Sequence, residues 1–144
     1  MSFAVDTNIL IYASDGGSRF RAAATRFLTE ATLGADILFI ALPVILGYMR
    51  IVTHPTILGA PLKPEEAQSN IDFLLSFPNV RVLPEDRDVW QTYRSVAAGV
   101  VVRGDLVSDA YLAALLRHHG VRVLYTNDSD FRKFDFLEVR NPFR

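Results

Sequence analysis

The sequence predicts an α/β fold, a three-layer sandwich in which a central, mostly parallel sheet is flanked by helices. Three observations predict it. Short apolar runs alternate along the chain with longer stretches of helical periodicity, the pattern of strand–helix–strand units. The strand runs are continuously apolar rather than alternating, as in strands covered on both faces. Hydrophobic residues make up 50% of a chain of 144, enough to build a core without disulfides or structural metals, so residues 1–144 are expected to form a single domain.

Each element follows from local signals. Phe3–Val5 reads as a buried strand, and Asp6-Thr7-Asn8 as the turn after it. Phe20, Ala23, Ala24, Phe27, Leu28 and Ala31 recur at helical spacing within Arg19–Leu33, and Gly34 ends that helix. Ile37–Ala41 is a second strand. Pro43 suits the first turn of a helix that runs to about Thr53, where His54-Pro55 stops it. A helix over Lys63–Phe77 has Pro64 at its start and Pro78 just after it. Val80–Leu83 is a strand, Arg87–Gly99 a helix, and Leu106–His119 a strongly apolar helix closed by Gly120. Val121–Tyr125 is a strand ending in Thr126-Asn127-Asp128, and Phe136–Val139 is a last, short one.

Composition narrows the function. No cysteine is present, which excludes a disulfide framework, a zinc–thiolate centre and thiol catalysis, and suits a reducing cytoplasm, the expected location. No basic segment precedes the first apolar run and Asp6 interrupts it, so no signal peptide is expected. The longest nearly uncharged stretch, Ile37–Met49, is too short to span a bilayer and contains Pro43 and Gly47. Against 15 basic residues stand 16 acidic ones, a formal net charge of −1. Binding to nucleic acid therefore needs a local basic surface rather than bulk charge. All the cations but Lys63 and Lys133 are arginines, which favours bidentate contact with phosphate. No P-loop, G-x-G-x-x-G, H-E-x-x-H or nucleophile elbow occurs. His118-His119 at a helix end and His54 before Pro55 read as structural.

The acidic residues carry the chemistry. In open α/β sheets, ligands bind beyond the carboxyl ends of the strands. Two strands deliver a carboxylate and a hydroxyl there, in Val5-Asp6-Thr7-Asn8 and in Tyr125-Thr126-Asn127-Asp128. A third acid, Asp109, falls in or near the first turn of the Leu106 helix, where the helix dipole favours an anion. Asp105 or Ser108 is expected to cap that helix. Asp109 is the one charge in Leu106–Ala114, and a lone carboxylate on a buried face is costly without compensation. Each acid also has a plain structural use: Asp6 as the cap of a helix from Thr7, Asp128 in a turn, Asp109 as a first-turn anion. If the three converge, either their pKa values rise or a cation sits among them. All-oxygen ligation suits Mg²⁺ or Mn²⁺. Such an ion can generate hydroxide and stabilise charge on a phosphoryl group, which points to hydrolysis of a phosphodiester.

Three segments then resemble, in order and spacing, the motifs of PIN domains along nearly the whole chain. They are Asp6-Thr7-Asn8-Ile9-Leu10-Ile11-Tyr12, Ser108-Asp109-Ala110-Tyr111-Leu112-Ala113-Ala114 with Gly120 and a strand behind it, and Thr126-Asn127-Asp128-Ser129-Asp130-Phe131. Leu42–Pro55, with Arg50 and Thr53-His54-Pro55, further resembles VapC toxins of bacterial toxin–antitoxin systems. The resemblance implies a PIN-like sandwich and a Mg²⁺- or Mn²⁺-dependent endoribonuclease, usually a homodimer, that acts on RNA and is inhibited by a VapB-type antitoxin. It places Asp6, Asp109 and Asp128 at acidic positions that hold the metal and carry catalysis, with Asp130 as a neighbour able to share the role of Asp128. Arg50, Arg103, Arg132 and Lys133 flank these residues in sequence and are the expected RNA phosphate contacts.

The fourth acidic position of the family pattern, a Glu three residues before Arg50, is Gly47 here. A glycine inside a helix costs about 1 kcal/mol relative to alanine, so the residue needs a reason. Three are open: an inactivating substitution, a natural residue compensated by Asp15 or Asp130, or close helix packing in a chain that is no nuclease. The last defines the rival function, a non-catalytic PIN module that binds a protein partner or RNA without cutting it. Tyr12 and Tyr111 as base-stacking residues compete with core packing. So do Phe20, Phe27, Leu28, Ile45, Ile51 and Val52 as a dimer or antitoxin surface.

Overall fold

The computed structural model describes residues Met1–Arg144. Its strands are β1 (Ser2–Val5), β2 (Ile37–Ala41), β3 (Val80–Leu83), β4 (Val123–Tyr125) and β5 (Glu138–Arg140). Its helices are α1 (Thr7–Ser14), α2 (Arg21–Leu33), α3 (Leu42–Val52), α4 (Pro64–Leu75), α5 (Val89–Ala98) and α6 (Leu106–His118), and a 3-10 helix spans Ser129–Lys133. The strands form one sheet in the order β3-β2-β1-β4-β5. Every neighbouring pair is parallel, so the expected mostly parallel sheet is wholly parallel. The chain winds outward from β1 to β3 and then returns to the other side of β1. The boundary between β1 and β4 is therefore the switch point of the sheet, the place where ligands bind in open α/β folds, at the strands' carboxyl ends.

Of the two readings of Asp6-Thr7-Asn8, the helix from Thr7 capped by Asp6 holds over the turn, as Thr7–Ser14 is helical, and Ser129–Lys133 adds a turn of 3-10 helix. The first has 8 residues, too short a window for helical periodicity to show. Its start is set by Asp6, whose carboxylate accepts the Thr7 N–H at 2.7 Å. β4 starts two residues later than expected because the Val121 N–H is taken by the Leu116 carbonyl at 2.8 Å, closing the end of α6. There Gly120 has φ +71°, a left-handed conformation that glycine adopts without a steric cost. β5 also starts late, because the Leu137 N–H turns back to the Phe134 carbonyl at 3.0 Å.

The core explains which helices sit where. α6 buries Ala110, Leu112, Ala113, Ala114, Leu115 and Leu116, so it is apolar on most sides and lies within the protein rather than on its surface. Ala4, Val5, Leu38, Ile40 and Leu124 of the sheet and Ile9, Val44, Tyr48 and Val52 of α1 and α3 join the same core. Ile45 and Val52 are buried and Phe27 and Leu28 pack against the core, so these four serve the interior first. No helix is long and apolar enough to cross a membrane.

The register places the site. Val5 pairs with Tyr125 at the carboxyl ends of β1 and β4. The next residue on each strand, Asp6 and Thr126, therefore emerges beside the other. The ladder runs on past the strands, with Asp6 N–H donating to the Tyr125 carbonyl at 3.0 Å and Thr126 N–H to the Arg140 carbonyl at 2.9 Å.

Candidate metal centre

Thr126 is the hub of the switch point. Its side chain is buried, at 1% exposure. Its hydroxyl donates to Asp6 Oδ2 at 2.8 Å and accepts from Asn8 Nδ2 at 3.1 Å and from the Asp128 N–H at 3.0 Å. One donor and two lone pairs are thus all used. Asn8 completes the frame by accepting the Asn127 N–H at 3.3 Å on its Oδ1. Asp6 caps α1 through Oδ1, and Asp128 caps the 3-10 helix by accepting the Asp130 N–H at 2.9 Å. The structural uses foreseen for both acids are real. They occupy only part of each carboxylate's acceptor capacity and fix the direction of the rest.

Asp109 lies in the first turn of α6. Burial pushes its carboxyl up to about 6, and the negative charges of Asp6, Asp128, Asp130 and Asp105 push it the same way. No cation and no hydrogen bond offsets them. Asp6 is also raised above its ordinary value, by burial first; its bonds to Thr126 and Thr7 oppose the shift and the charge of Asp128 adds to it. Asp105 stands at the N-cap position of α6 but makes no side-chain cap bond, so its charge only adds to the crowding.

The structure brings most of the expected acids together. One carboxylate oxygen from each of Asp109, Asp128 and Asp130 lies within 4.8 Å of the others. Asp6 is outside that tightest group, yet it is the strongest of the charges acting on Asp109. Asp130 thus stands nearer the centre than its secondary place in the sequence reading. The i, i+2 spacing of Asn127-Asp128-Ser129-Asp130 around a capped turn was the available signal. Asp15 is at the opposite end of α1, about 13 Å along the axis from Asp6, and its Oδ1 accepts the Gly17 N–H at 2.9 Å. It does not stand in for a fourth acid.

Gly47 has a packing reason. A Cβ built on it would lie 3.2 Å from Thr7 Oγ1 and 3.3 Å from Thr7 Cγ2. α3 therefore passes so close to the start of α1 that a larger residue presses on the residue next to Asp6. Of the basic residues, Lys133 Nζ pairs with Asp130 Oδ1 at 3.6 Å. Arg50, Arg103 and Arg132 are exposed and take no part in the molecule's ion pairs. The histidines are anchors: His118 meets Thr92 Oγ1 at 3.1 Å and Asp86 at 3.5 Å, His119 meets the Pro84 carbonyl at 2.7 Å, and His54 Nδ1 accepts the Thr56 N–H at 3.1 Å. The Tyr111 hydroxyl donates to Glu85, and Tyr12 packs against Phe20 and Phe143.

All the ligand atoms are hard oxygens and all the nearby charges on Asp109 are negative, a combination that fits a divalent cation. Comparison with known proteins gives the family. The model of the PIN domain family matches residues 3–137. Ribonuclease VapC48 of Mycobacterium tuberculosis (strain H37Rv) is 44% identical over 143 residues, 99% of each chain. Ribonuclease VapC43 of the same strain is 30% identical over 139 residues, 96% of this chain and 93% of the relative. Among solved structures, VapBC2 from Rickettsia felis bound to a DNA fragment from their promoter superposes with a TM-score of 0.72 at 18% identity, over 98% of both chains. The Mycobacterium tuberculosis sarcin–ricin loop cleaving toxin VapC20 gives 0.69 at 21% identity, over 96% of this chain and 98% of its own. The two structures share the fold. The family match and the near-full-length relative show that this chain belongs to the PIN-domain family and, within it, to the VapC ribonucleases.

Proposed function

We propose that this chain, as one domain, is the endoribonuclease toxin of a VapBC-type pair, in which Asp6, Asp109 and Asp128 hold Mg²⁺ or Mn²⁺ and carry catalysis, with Asp130 joining them. The observation that carries this reading is the gathering of Asp109, Asp128 and Asp130, whose carboxylate oxygens lie within 4.8 Å of one another, with the charge of Asp6 acting on half-buried Asp109 as well. Proteins seldom keep such a group unless a ligand repays the repulsion. A divalent cation, when bound, supplies Lewis-acid stabilisation of the charge that builds on a phosphodiester under attack by water. The residues supply the rest. Thr126 and Thr7 hold Asp6 in one orientation, the first turn of α6 favours the ionised form of Asp109 through its dipole, and Asp128 is aimed by its cap. Arg50, Arg103 and Arg132 are the proposed contacts to RNA phosphates. Lys133 is proposed to leave Asp130 for a phosphate once a cation engages that carboxylate.

The partners proposed are RNA as substrate, a VapB-type antitoxin as inhibitor and a second copy as a homodimer, on the strength of family membership and of similar structures that are VapBC assemblies. The cytoplasm is the proposed compartment. A non-catalytic module is the weaker reading: close packing of Gly47 on Thr7 is the one feature in its favour, while the near-full-length relatives are ribonucleases. The test is cleavage of a labelled single-stranded RNA with Mn²⁺ present. Cleavage is expected from the chain as it stands and is expected to vanish in an Asp6→Ala, Asp109→Ala double variant. Cleavage that persists unchanged in the double variant overturns the assignment.

A further inference from the structure

The loop that carries Asp128 is fastened from behind by the last residues of the chain. Asn141 Oδ1 accepts the Phe143 N–H at 2.9 Å. A backbone N–H can only donate, so this bond fixes which end of the Asn141 amide faces which way. Its Nδ2 then points to Asn127 and donates to Asn127 Oδ1 at 2.7 Å. That bond fixes the second amide in turn, and Asn127 Nδ2 donates to the Tyr12 hydroxyl at 3.2 Å. The result is a directed relay from Phe143 through Asn141 and Asn127 to Tyr12, in which each donor is placed by the acceptor before it.

Both ends of the relay are held by packing. Phe143 stacks on Phe20, with ring centres 4.7 Å apart and 25° between planes, and meets Tyr12 edge-on at 5.5 Å. Tyr12 and Phe20 are themselves 5.1 Å apart. Tyr12 lies on α1, whose cap is Asp6, while Asn127 lies between Thr126 and Asp128. The relay therefore ties the Asp128 loop to the helix that presents Asp6. The need for a tie is electrostatic. Asp6, Asp109, Asp128 and Asp130 are like charges that push one another apart when no cation is present, and Asn127-Asp128, between β4 and the 3-10 helix, is held against that push by side-chain bonds rather than by a strand ladder.

We propose that Asn141, secured by Phe143, is a positioning residue of the metal centre: it holds Asn127, and through Asn127 it keeps the Asp128 carboxylate facing Asp109. This rests on the metal-site reading above. Removing the Asn141 amide leaves Asn127 Oδ1 without its partner and frees the Asn127 side chain to turn. The carboxylates then have to be gathered at the moment of ion binding, which weakens affinity as the loss of an outer partner does at other metal sites.

The test compares Asn141→Ala with Asn79→Ala in the full chain. Asn79 is an equally engaged amide far from the site, donating to the Ala31, Gly34 and Asp36 carbonyls at 2.9, 3.3 and 3.0 Å. It therefore controls for lost stability alone. Two readouts are needed: Mn²⁺ affinity by calorimetry, and hydrogen exchange at the Asn127 and Asp128 amides without metal. Asn141→Ala is expected to weaken Mn²⁺ binding about tenfold and to speed exchange at both amides, while Asn79→Ala lowers the thermal midpoint and changes neither. Equal Mn²⁺ affinity or unchanged exchange in Asn141→Ala overturns the proposal alone, as does equal weakening by Asn79→Ala. Parent protein that takes up no Mn²⁺ overturns the metal-site reading, and the positioning role with it.

Discussion

At the scale of single residues, the protein accepts a cost at Asp109 that a proton or a bound cation relieves. Replacing that acid should therefore separate stability from function. Asp109→Asn is expected to raise the thermal midpoint of the metal-free protein by a few degrees and to abolish stabilisation by Mn²⁺, as thermal unfolding with and without the ion will show. Asp6 has two duties, and two substitutions tell them apart. Asp6→Asn keeps an oxygen for the Thr7 N–H and so keeps the cap, but it turns an NH₂ donor toward the Thr126 hydroxyl, so it should lose Mn²⁺ affinity and the Thr126 bond together. Asp6→Ala should lose the affinity and also about 1 kcal/mol of stability with the cap, measured by denaturant unfolding. The three acids were legible in the sequence because each sits where a predicted strand or helix ends. The frame around them was not. The bond from Thr126 to Asp6 joins residues 120 positions apart, and it exists only because β4 returns beside β1 in the register that pairs Val5 with Tyr125. Nothing local signals the contact of Asn127 with Asn141, 14 positions apart, for the same reason.

At the scale of elements, the crossing of α1 and α3 sets the shape of the site wall. Gly47 and Thr7 share one space, so their substitutions should couple. In a Thr7→Ala background, Gly47→Ala is expected to stabilise α3 by about 1 kcal/mol, the ordinary gain for leaving glycine in a helix. With Thr7 in place the gain should be smaller, because the new methyl meets Thr7 Oγ1 at 3.2 Å. A double-mutant cycle read by denaturant unfolding measures the difference, and strict additivity would count against the shared space. Longer helices were readable from their apolar spacing and their Pro and Gly punctuation, with ends shifted by a residue or two. α1 was readable only through the cap that Asp6 offered, because the run Ile9-Leu10-Ile11 has no helical period and the deciding feature is that single bond. β5 was displaced because Phe134–Leu137 forms a turn that apolar content alone does not reveal.

At the scale of the whole molecule, stability and ion binding are one linked equilibrium. The Asp109 carboxyl, raised from 3.8 to about 6 in the folded protein, binds its proton more tightly folded than unfolded. The stability this gives is complete below 3.8 and is lost as pH rises through about 6. The thermal midpoint of the metal-free protein is therefore expected to fall over that window relative to Asp109→Asn, and Mn²⁺ affinity to rise over it as the competing proton leaves. The fold class was open to sequence reasoning because it depends on the alternation of strands and helices, which is local. Strand order was less so, since nothing local says that β4 lies beside β1 rather than beyond β3, and that choice is what gathers the acids. The most direct measurement is a calorimetric titration of the full chain with Mn²⁺ near neutral pH, run beside Asp109→Asn. Saturable binding by the chain and its loss in the variant is the expected result. Equal heats from both proteins, or none from the chain itself, would contradict a cation centre built on these carboxylates.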